Sequence, residues 1–320
     1  MRPLEHVTCN WCGADDTRLV TNIRADFEQV GVIPDEYAYR SFQIVQCSRC
    51  NLIYLNPRPD AQEIGVYYPK AYCCFAEMPP KGMLMGLLYR VMVALKRREI
   101  LPRLASDATV LDYGCGNGHW LVALKAKALP TQRFVGVDFS ESAISSLRAK
   151  GVEAYVGDER ALERVVAPGS VDLILMNHII EHIPDVKGTM RVLSQLLKPG
   201  GEIHGVTPNI DAWDRNIFGE YWSGWHCPRH FVLFTREVLA RYAKDAGLTL
   251  TSCKYDLEGA NHWSTSLHTV LAGKLGWRRT TEQYRMKIYP LFLFGALLLT
   301  VPQMLFSKAS VMTFTLRKPS

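Results

Sequence analysis

The run VLDYGCGNG at residues 110–118 constrains this chain more than any other feature. A short apolar stretch leads into Gly114, Gly116 and Gly118, and the helical pattern WLVALKAK follows. Glycine turns tightly and leaves room for a ligand beside the backbone. A strand, a glycine loop and a helix in this order are typical of a βα unit that binds a nucleoside at the carboxyl end of its strand.

Two aspartates narrow the choice of nucleoside. The glycines follow a GxGxG spacing rather than the GxGxxG of dinucleotide sites, and Asp112 stands just before them. A carboxylate there would repel a pyrophosphate, whereas it would attract the amine and the sulfonium centre of S-adenosylmethionine (SAM). About twenty residues later the run RFVGVD ends in Asp138, where a carboxylate can accept hydrogen bonds from both ribose hydroxyls. The two positions together predict a SAM site.

An alternation of strands and helices begins at Thr109. The β-branched runs TVLDY, RFVGVD, EAYVG, VDLILMN and GEIHGVT are separated by helical stretches. This alternation predicts an α/β fold built around a parallel sheet. Two further strands are expected at 248–256 and 311–317, which gives a sheet of seven strands.

These motifs resemble those of class I SAM-dependent methyltransferases, over residues 109–256 and 311–317. VDLILMNHIIEHIPD resembles the fourth-strand motif of that family, and LLKPGGEIHGVTPN resembles its fifth strand. Each piece alone is compatible with an ordinary βα turn, but the pieces follow the family's order. The resemblance implies a Rossmann-like sheet of strand order 3-2-1-4-5-7-6 and an enzyme that transfers the methyl group of SAM.

The resemblance also implies which residues hold the cofactor. In the family, the residue matching Asp138 binds the ribose and the one matching Asp158 meets the adenine amine, while His178 forms a wall of the pocket. Glu181 and His182 face the same cleft, and the resemblance gives neither a direct role in proton transfer. The full predicted set is Asp112, Tyr113, Gly114, Cys115, Gly116, Gly118, Asp138, Phe139, Asp158, Asn177 and His178.

Two cysteine pairs lie near the N-terminus, Cys9 with Cys12 and Cys47 with Cys50. Each CxxC pair can place two thiolates on one face of a metal ion, and four thiolates complete the tetrahedron that zinc prefers. A full shell leaves no position for water, so the predicted zinc ribbon is structural. A redox CxxC pair or unrelated thiols would be the alternative.

The tract YWSGWHCPRHFVLFT at 221–235 supplies the candidate catalytic residues. Methyl transfer to a hydroxyl requires a base, and histidine titrates in the right range. We expect His230 to be that base, with His226 second, and Arg229 to hold a phosphate or carboxylate of the acceptor. The alternative is that the histidines cap or pack an aromatic turn.

A second resemblance indicates the acceptor. The zinc module, Tyr68 and Tyr72 after it, and the RHF tract at 229–231 make the chain similar to methyltransferases of deoxysugars and of surface-polysaccharide gene clusters. The deoxysugar C-methyltransferases carry a Glu-His pair where this chain has Arg229–His230, which argues against C-methylation. We therefore expect O-methylation of a sugar hydroxyl on a nucleotide-linked or lipid-linked glycan.

Three alternative functions stay open. A zinc ribbon and a net charge of +6 would also suit RNA methylation. The tract Asn177–His178–Ile179–Ile180 differs from the Asn-Pro-Pro-Tyr kind that signals methylation of bases, so nucleic acid is not the expected partner. Sugar C-methylation is the second alternative. The third is a non-catalytic membrane scaffold, against which the intact Asp112 and Asp138 count.

The expected organisation has four parts. The N-terminus has no apolar run of the secretory kind, so a cytoplasmic protein is expected. The parts are a zinc ribbon at 1–60, a helical linker or substrate-side segment at 61–108, the methyltransferase domain at 109–256 and 308–320, and an apolar helical insert at 257–307.

Residues 288–307 carry no charge, and their length alone would permit a bilayer span. The final strand follows at once, so both ends of the insert must lie on one membrane face. Pro290 and Pro302 should also break a continuous helix. We expect 288–306, with the helix predicted at 83–95, to contact the inner face of the membrane peripherally. A homodimer interface, or a helix that covers the sheet, is the alternative.

Overall fold

The computed structural model describes residues 1–24, 33–69, 83–275 and 289–320. Within these ranges the strands form two sheets. The strands are β1 (Thr17–Arg24), β2 (Ser41–Cys47), β3 (Ile53–Leu55), β4 (Thr109–Tyr113), β5 (Arg133–Asp138), β6 (Glu153–Val156), β7 (Val171–Asn177), β8 (Leu197–Pro208), β9 (Val232–Leu233), β10 (Thr249–Tyr255) and β11 (Val311–Arg317). The helices are α1 (Asp35–Ala38), α2 (Met83–Ile100), α3 (His119–Lys125), α4 (Glu141–Ala149), α5 (Glu159–Leu162), α6 (Val186–Leu196), α7 (Trp213–Phe218), α8 (Arg236–Asp245), α9 (Gly259–Leu275) and α10 (Tyr289–Leu305).

The larger sheet has the order β10-β11-β8-β7-β4-β5-β6. Strands β4 to β8 pair in parallel, and β11 lies antiparallel between β8 and β10. In chain order this is 3-2-1-4-5-7-6, so the predicted α/β fold and its strand order are confirmed. The central strands are buried on both faces, as Val110 and Leu111 of β4 illustrate, which explains their unbroken apolar runs.

Helices cover the two faces of this sheet with different apolar cores. On one face, Leu121 of α3 and Leu147 of α4 pack around Val110. On the other, Leu193 of α6 and Leu239 of α8 belong to a core that continues into the N-terminal residues. The parallel strands bring their carboxyl ends, and the loops that follow them, to one edge of the sheet.

The smaller sheet, β1-β2-β3-β9, joins the N-terminal residues to the rest of the molecule. Its last strand, β9, comes from the tract that carries the predicted catalytic histidines, and Tyr54 of β3 pairs with Val232. The Leu55 amide donates to the Phe231 carbonyl at 3.0 Å. The predicted ribbon therefore shares hydrogen bonds with the segment just after His230.

The segments around both cysteine pairs dock on α8. The Arg241 guanidinium donates to the Cys50 carbonyl at 3.0 Å, and the Tyr242 hydroxyl donates to Asn10 Oδ1 at 3.0 Å. The Trp11 ring packs edge-on against Tyr242, with a centroid separation of 5.0 Å. These contacts hold both cysteine pairs against the helical layer of the larger sheet.

The described part of the insert is a pair of helices, α9 and α10. The residues between them, 276–288, lie outside the described ranges. The expectation that prolines break the helix is wrong, since α10 contains Pro302. Pro290 lies in the first turn, where its missing N–H has no helical partner to lose, whereas Pro302 lies in the last turn and removes one hydrogen bond near the end of the helix. Of the helices in the described ranges, none is long and apolar enough to cross a bilayer.

Candidate active site

The glycine loop after β4 forms the floor of the site. Gly114, Gly116 and Gly118 have φ values of +74°, +52° and +67°. A Cβ added at Gly114 would collide with the Ile179 side chain, and one at Gly118 with Leu147. The loop is therefore close to neighbouring side chains and in a backbone conformation that favours glycine.

Asp138, at the end of β5, clamps this loop. Its Oδ2 accepts from the Gly116 amide at 2.8 Å, and its Oδ1 accepts from the Ser140 amide at 2.9 Å. Each carboxylate oxygen retains acceptor capacity, so the side chain can still serve a ribose hydroxyl. The loop-clamping contact adds a structural role that the sequence did not reveal.

Asp112 and Asp138 together give the loop an excess of negative charge. Burial and the nearby Asp138 raise the pKa of Asp112 to about 7, although Lys96 acts in the opposite direction. Burial also raises the pKa of Asp138, opposed by backbone amides such as that of Ser140. Both carboxylates would ionise more readily beside a cation. A ligand with ammonium and sulfonium groups matches this requirement.

A buried donor lies at the end of β7. The Asn177 side-chain nitrogen Nδ2 has no hydrogen-bond partner among the described residues. Buried polar groups are nearly always paired, so an orphaned donor at the carboxyl end of a strand fits an acceptor atom on a bound ligand. Together with the glycine loop, this orphaned donor supports a SAM site on these residues.

His178 is committed to two carboxylates. Its Nε2 lies 2.9 Å from Glu258 Oε1, and its Nδ1 lies 3.3 Å from Glu181 Oε1. Burial alone would lower the pKa of His178, but the two carboxylates outweigh it and raise the pKa well above its usual range. A protonated His178 cannot act as a base, and its place in the wall of the cofactor pocket stays a prediction.

The other predicted cofactor residues divide by orientation. Phe139 is exposed and meets the Tyr68 ring edge-on, with centroids 5.1 Å apart, beside the ribose-side aspartate. Asp158 caps α5 by accepting from the Arg160 amide at 3.0 Å. Tyr113 is buried and donates to Glu159 Oε2 at 2.6 Å, and the Cys115 side chain is buried in the core. For Tyr113 and Cys115, the backbone is what faces the loop.

Three histidines lie close together on the side of the molecule that holds the predicted catalytic residues of the tract 221–235, which we call the acceptor side. His182 follows β7, whereas His226 and His230 come from the tract between α7 and β9. One ligating atom from each lies within 4.8 Å of the others. The sequence predicts His226 and His230 as catalytic residues, and the resemblance places His182 in the cofactor cleft without a direct role in proton transfer.

Backbone carbonyls define the tautomers of two of these rings. His230 Nδ1 lies 2.9 Å from the Gly224 carbonyl, and His182 Nδ1 lies 3.0 Å from the Arg229 carbonyl. A carbonyl only accepts, so each Nδ1 must carry the proton and each Nε2 has the lone pair. The Tyr68 hydroxyl also reaches His182 Nδ1, at 2.9 Å.

The three rings are neutral near pH 7. Burial, followed by the Arg229 charge, lowers the pKa of His182 to about 3 and that of His226 well below its usual range. Burial likewise lowers the pKa of His230, but here the Glu181 carboxylate acts in the opposite direction. Glu181 Oε1 lies 3.9 Å from His230 Nε2, and both side chains are almost fully buried. The Glu181 carboxylate is therefore placed where it can stabilise a protonated His230.

Arg229 lies behind the histidines rather than facing an open pocket. It is 1% exposed; its Nη1 donates to the Tyr67 carbonyl at 3.1 Å, and its Nη2 contacts His226 Nε2. Nη1 and Nη2 are thus engaged by protein groups, and the role in holding a phosphate or carboxylate of the acceptor stays a prediction. The Arg229 charge would also repel a metal ion among the histidines.

The apolar insert reaches this tract directly. The Ser223 amide donates to Ser266 Oγ at 2.9 Å, and Ser223 Oγ donates to the His262 carbonyl at 3.0 Å. Both partners belong to α9. Helix α9 is thus part of the wall on the acceptor side, a role that the sequence analysis did not foresee.

The four predicted metal ligands come together at a second place. Cys9 Sγ lies 3.4 Å from Cys50 Sγ, and Cys12 Sγ lies 3.6 Å from Cys47 Sγ. All four sulfurs lie within 4.8 Å of one another. A zinc ion bonded to four sulfurs at about 2.3 Å needs sulfur–sulfur separations of about 3.8 Å. The group has the composition and spacing to hold such an ion.

The sheet order, the glycine loop and the aspartate after the second strand define a class I methyltransferase that binds SAM. A family described as "Methyltransferase domain" matches residues 88–253, just over half of the 320 residues. The chain belongs to this family and is a SAM-dependent methyltransferase.

Known proteins are similar to parts of the chain. A demethylmenaquinone methyltransferase of Listeria monocytogenes is 28% identical over 163 residues, which are 48% of this chain and 68% of that protein. A ubiquinone biosynthesis O-methyltransferase of Cupriavidus pinatubonensis is 28% identical over 192 residues, 54% of this chain and 74% of that protein. A geranyl diphosphate C-methyltransferase structure from Streptomyces coelicolor has a TM-score of 0.50 at 14% identity, covering 73% of this chain and 77% of that chain. This structural likeness concerns the fold alone.

Proposed function

We propose that the protein methylates a hydroxyl of a sugar in a nucleotide-linked or lipid-linked glycan. SAM supplies the electrophilic methyl group and leaves as S-adenosylhomocysteine. The glycine loop, Asp112 and Asp138 hold the cofactor, and Asn177 offers it a donor. The acceptor hydroxyl contributes its oxygen to the new C–O bond and releases a proton that the protein must accept.

The observation that carries the proposal is the pair formed by His230 and Glu181. A neutral imidazole with its Nδ1 hydrogen fixed by the Gly224 carbonyl presents Nε2 as a base. The buried Glu181 carboxylate, 3.9 Å away, stabilises the imidazolium that forms. His226 Nε2 contacts the Arg229 guanidinium, whereas His230 Nε2 faces the Glu181 carboxylate, so His230 is the preferred base.

The lining of the acceptor side supports a polar acceptor. The Nε2 lone pairs of His182 and His230 can accept from the hydroxyls of a sugar, and the Tyr68 hydroxyl, which reaches His182, is a further polar group of this lining. The contact between Ser223 and α9 links this lining to the apolar insert, which suits an acceptor carried on a lipid. Tyr72, the other tyrosine expected to face the substrate, lies outside the described residues.

A phenolic quinone precursor is the second candidate acceptor. It is favoured by the two quinone-pathway methyltransferases that match at 28% identity. Both candidates present a hydroxyl or an activated ring position, so the reaction class alone does not separate them. The identity of the labelled product does.

The test is methyl-label transfer from tritiated SAM into nucleotide sugars, lipid-linked glycans, quinone lipids and RNA from a host cell. We expect label in a glycan fraction, released by acid as an O-methyl sugar. His230→Asn should abolish transfer while SAM still binds in calorimetry, and Asp138→Ala should abolish both. Label confined to quinones or RNA would refute the sugar acceptor, and label in a sugar carbon would indicate C-methylation.

We further propose that Cys9, Cys12, Cys47 and Cys50 hold one structural zinc ion, and that residues 1–60 form the unit it stabilises. The sulfur spacings support this assignment. Elemental analysis of the purified protein should find about one zinc per chain. A content near zero after expression with zinc would contradict it.

A further inference from the structure

Helix α10 packs small and polar residues inward and exposes large apolar residues. The side that packs inward holds Ala296, Thr300 and Gln303, all at most 5% exposed. The side that faces outward holds large apolar residues, with Leu298 68% and Leu305 79% exposed. A helix on the surface of a water-soluble protein has the opposite arrangement. The other exposed apolar residues of this region are Leu299, Val301 and Phe306.

A polar contact with α9 helps to hold the inward face, since the Trp263 indole donates to Gln303 Oε1 at 3.1 Å. The buried Thr300 hydroxyl is satisfied within α10, where Oγ1 donates to the Ala296 carbonyl at 2.8 Å. On α9 itself, Ser264 and His268 are also buried. Helix pairs that meet through small and polar residues and present apolar residues outward are typical of an apolar solvent.

The outward face continues onto α7. Trp213 and Phe306 are in ring contact at 5.3 Å, and the Trp213 amide donates to the Lys308 carbonyl at 3.1 Å. Ile217 of α7 is 63% exposed. Two segments distant in sequence thus build one apolar surface, which we call the α10 face: Trp213, Ile217, Leu298, Val301, Leu305 and Phe306. Contiguous surfaces of this kind mark sites of interaction.

We propose that the α10 face rests in one leaflet of a membrane. Residues 289–307 contain no Asp, Glu, Lys or Arg, so this stretch lacks the charged groups that commonly pair at the rim of a protein interface. Arg215 and Lys308 flank it, where they can meet anionic headgroups, and a tryptophan at such a border is typical of the membrane interface.

The topology requires shallow insertion. Helix α9 follows β10 and α10 precedes β11, and these two strands pair with each other. Both ends of the helix pair therefore lie at the same side of a membrane, so the pair lies within one leaflet. This proposal is independent of the acceptor, because a membrane-bound enzyme could still use a water-soluble sugar nucleotide.

Flotation of the full chain with vesicles of phosphatidylcholine and phosphatidylglycerol tests the proposal. The wild-type protein should float, and the double variant Leu298→Ser/Leu305→Ser should partition at least roughly tenfold less, since each leucine loses its buried apolar area. Both side chains are exposed, so the variant should fold and bind SAM unchanged.

A matched variant on α2, Leu87→Ser/Leu95→Ser, removes two leucines that are 57% and 59% exposed. Helix α2 also carries part of the expected membrane contact at 83–95, so this variant separates the two helices. Flotation lost only in the α2 variant, or absent from the wild type, would overturn the proposal. So would a wild-type dimer that the α10 variant converts to a monomer without any flotation, because a second copy would then cover the α10 face.

Discussion

Replacing Glu181 by Gln isolates the charge that the mechanism assigns to it. The amide oxygen can still accept from Thr207 Oγ1, which now donates to Glu181 Oε2 at 2.9 Å, so the fold should be retained. Opposite unit charges at about 4 Å attract by about 4 kcal/mol at an effective dielectric constant near 20. The observed 3.9 Å between Glu181 Oε1 and His230 Nε2 fits that case.

The rate effect follows from how much charge has developed on His230. If about half of the proton's charge resides on the imidazole in the transition state, the barrier rises by about 2 kcal/mol, roughly a thirtyfold loss in rate. The assay is S-adenosylhomocysteine formation at saturating SAM and acceptor, with SAM affinity measured separately by calorimetry. We expect kcat to fall and SAM binding to stay unchanged.

Glu258→Gln is the matched control. Glu258 also pairs with His178, at 2.9 Å, but no contact joins it to His230. Both variants therefore weaken the His178 pair, and only the first removes the charge beside the proposed base. Equal losses in the two variants, or unchanged kcat in Glu181→Gln, would refute the assignment of His230 and Glu181.

Three further predictions concern binding and stability. Since the pKa of Asp112 is raised to about 7, SAM affinity should increase as the pH rises through that value, and Asp112→Asn should flatten the calorimetric pH profile. The pKa of His178 is raised, so its contribution to stability is complete below the unfolded value of about 6.5 and is lost as the pH rises through the folded pKa. A plot of Tm against pH should decline in the alkaline range for the wild type and less for His178→Gln; parallel curves would contradict this. Cys50→Ser should lose the metal in elemental analysis and lower Tm, whereas Cys253→Ser, a cysteine outside the cluster, should do neither.

The central sheet was predictable because each of its units is local. A β-branched run, a turn and a helix follow one another within a short stretch, and the resemblance then supplied the strand order. The glycine loop and Asp138 were equally accessible, since spacing along the chain fixes their places at neighbouring strand ends. What the spacing could not reveal was that Asp138 also binds the Gly116 amide.

The acceptor side was less predictable because it depends on contacts between distant segments. His182 meets His230 across 48 positions, and Tyr68 joins them from before the methyltransferase sheet. Arg229 was expected to hold a phosphate or carboxylate of the acceptor because a guanidinium binds such groups bidentately, and here the Tyr67 carbonyl and His226 engage two of its nitrogens. The sequence of α10 likewise does not show which of its residues face inward, and the structure places Thr300 and Gln303 there.

The pairing of β3 with β9 has a consequence for engineering. Strand β9 belongs to the tract 221–235, which carries the proposed base. The N-terminal residues therefore cannot be removed at residue 60 without disturbing that tract. Shortening the chain there would leave Val232 and Leu233 as an unpaired strand edge, open to association with other chains. It would also remove the Leu55 amide that holds the Phe231 carbonyl, next to the proposed base. When N-terminal units are exchanged between related enzymes, the β9 segment should therefore be exchanged with them, so that both halves of the shared sheet come from one parent.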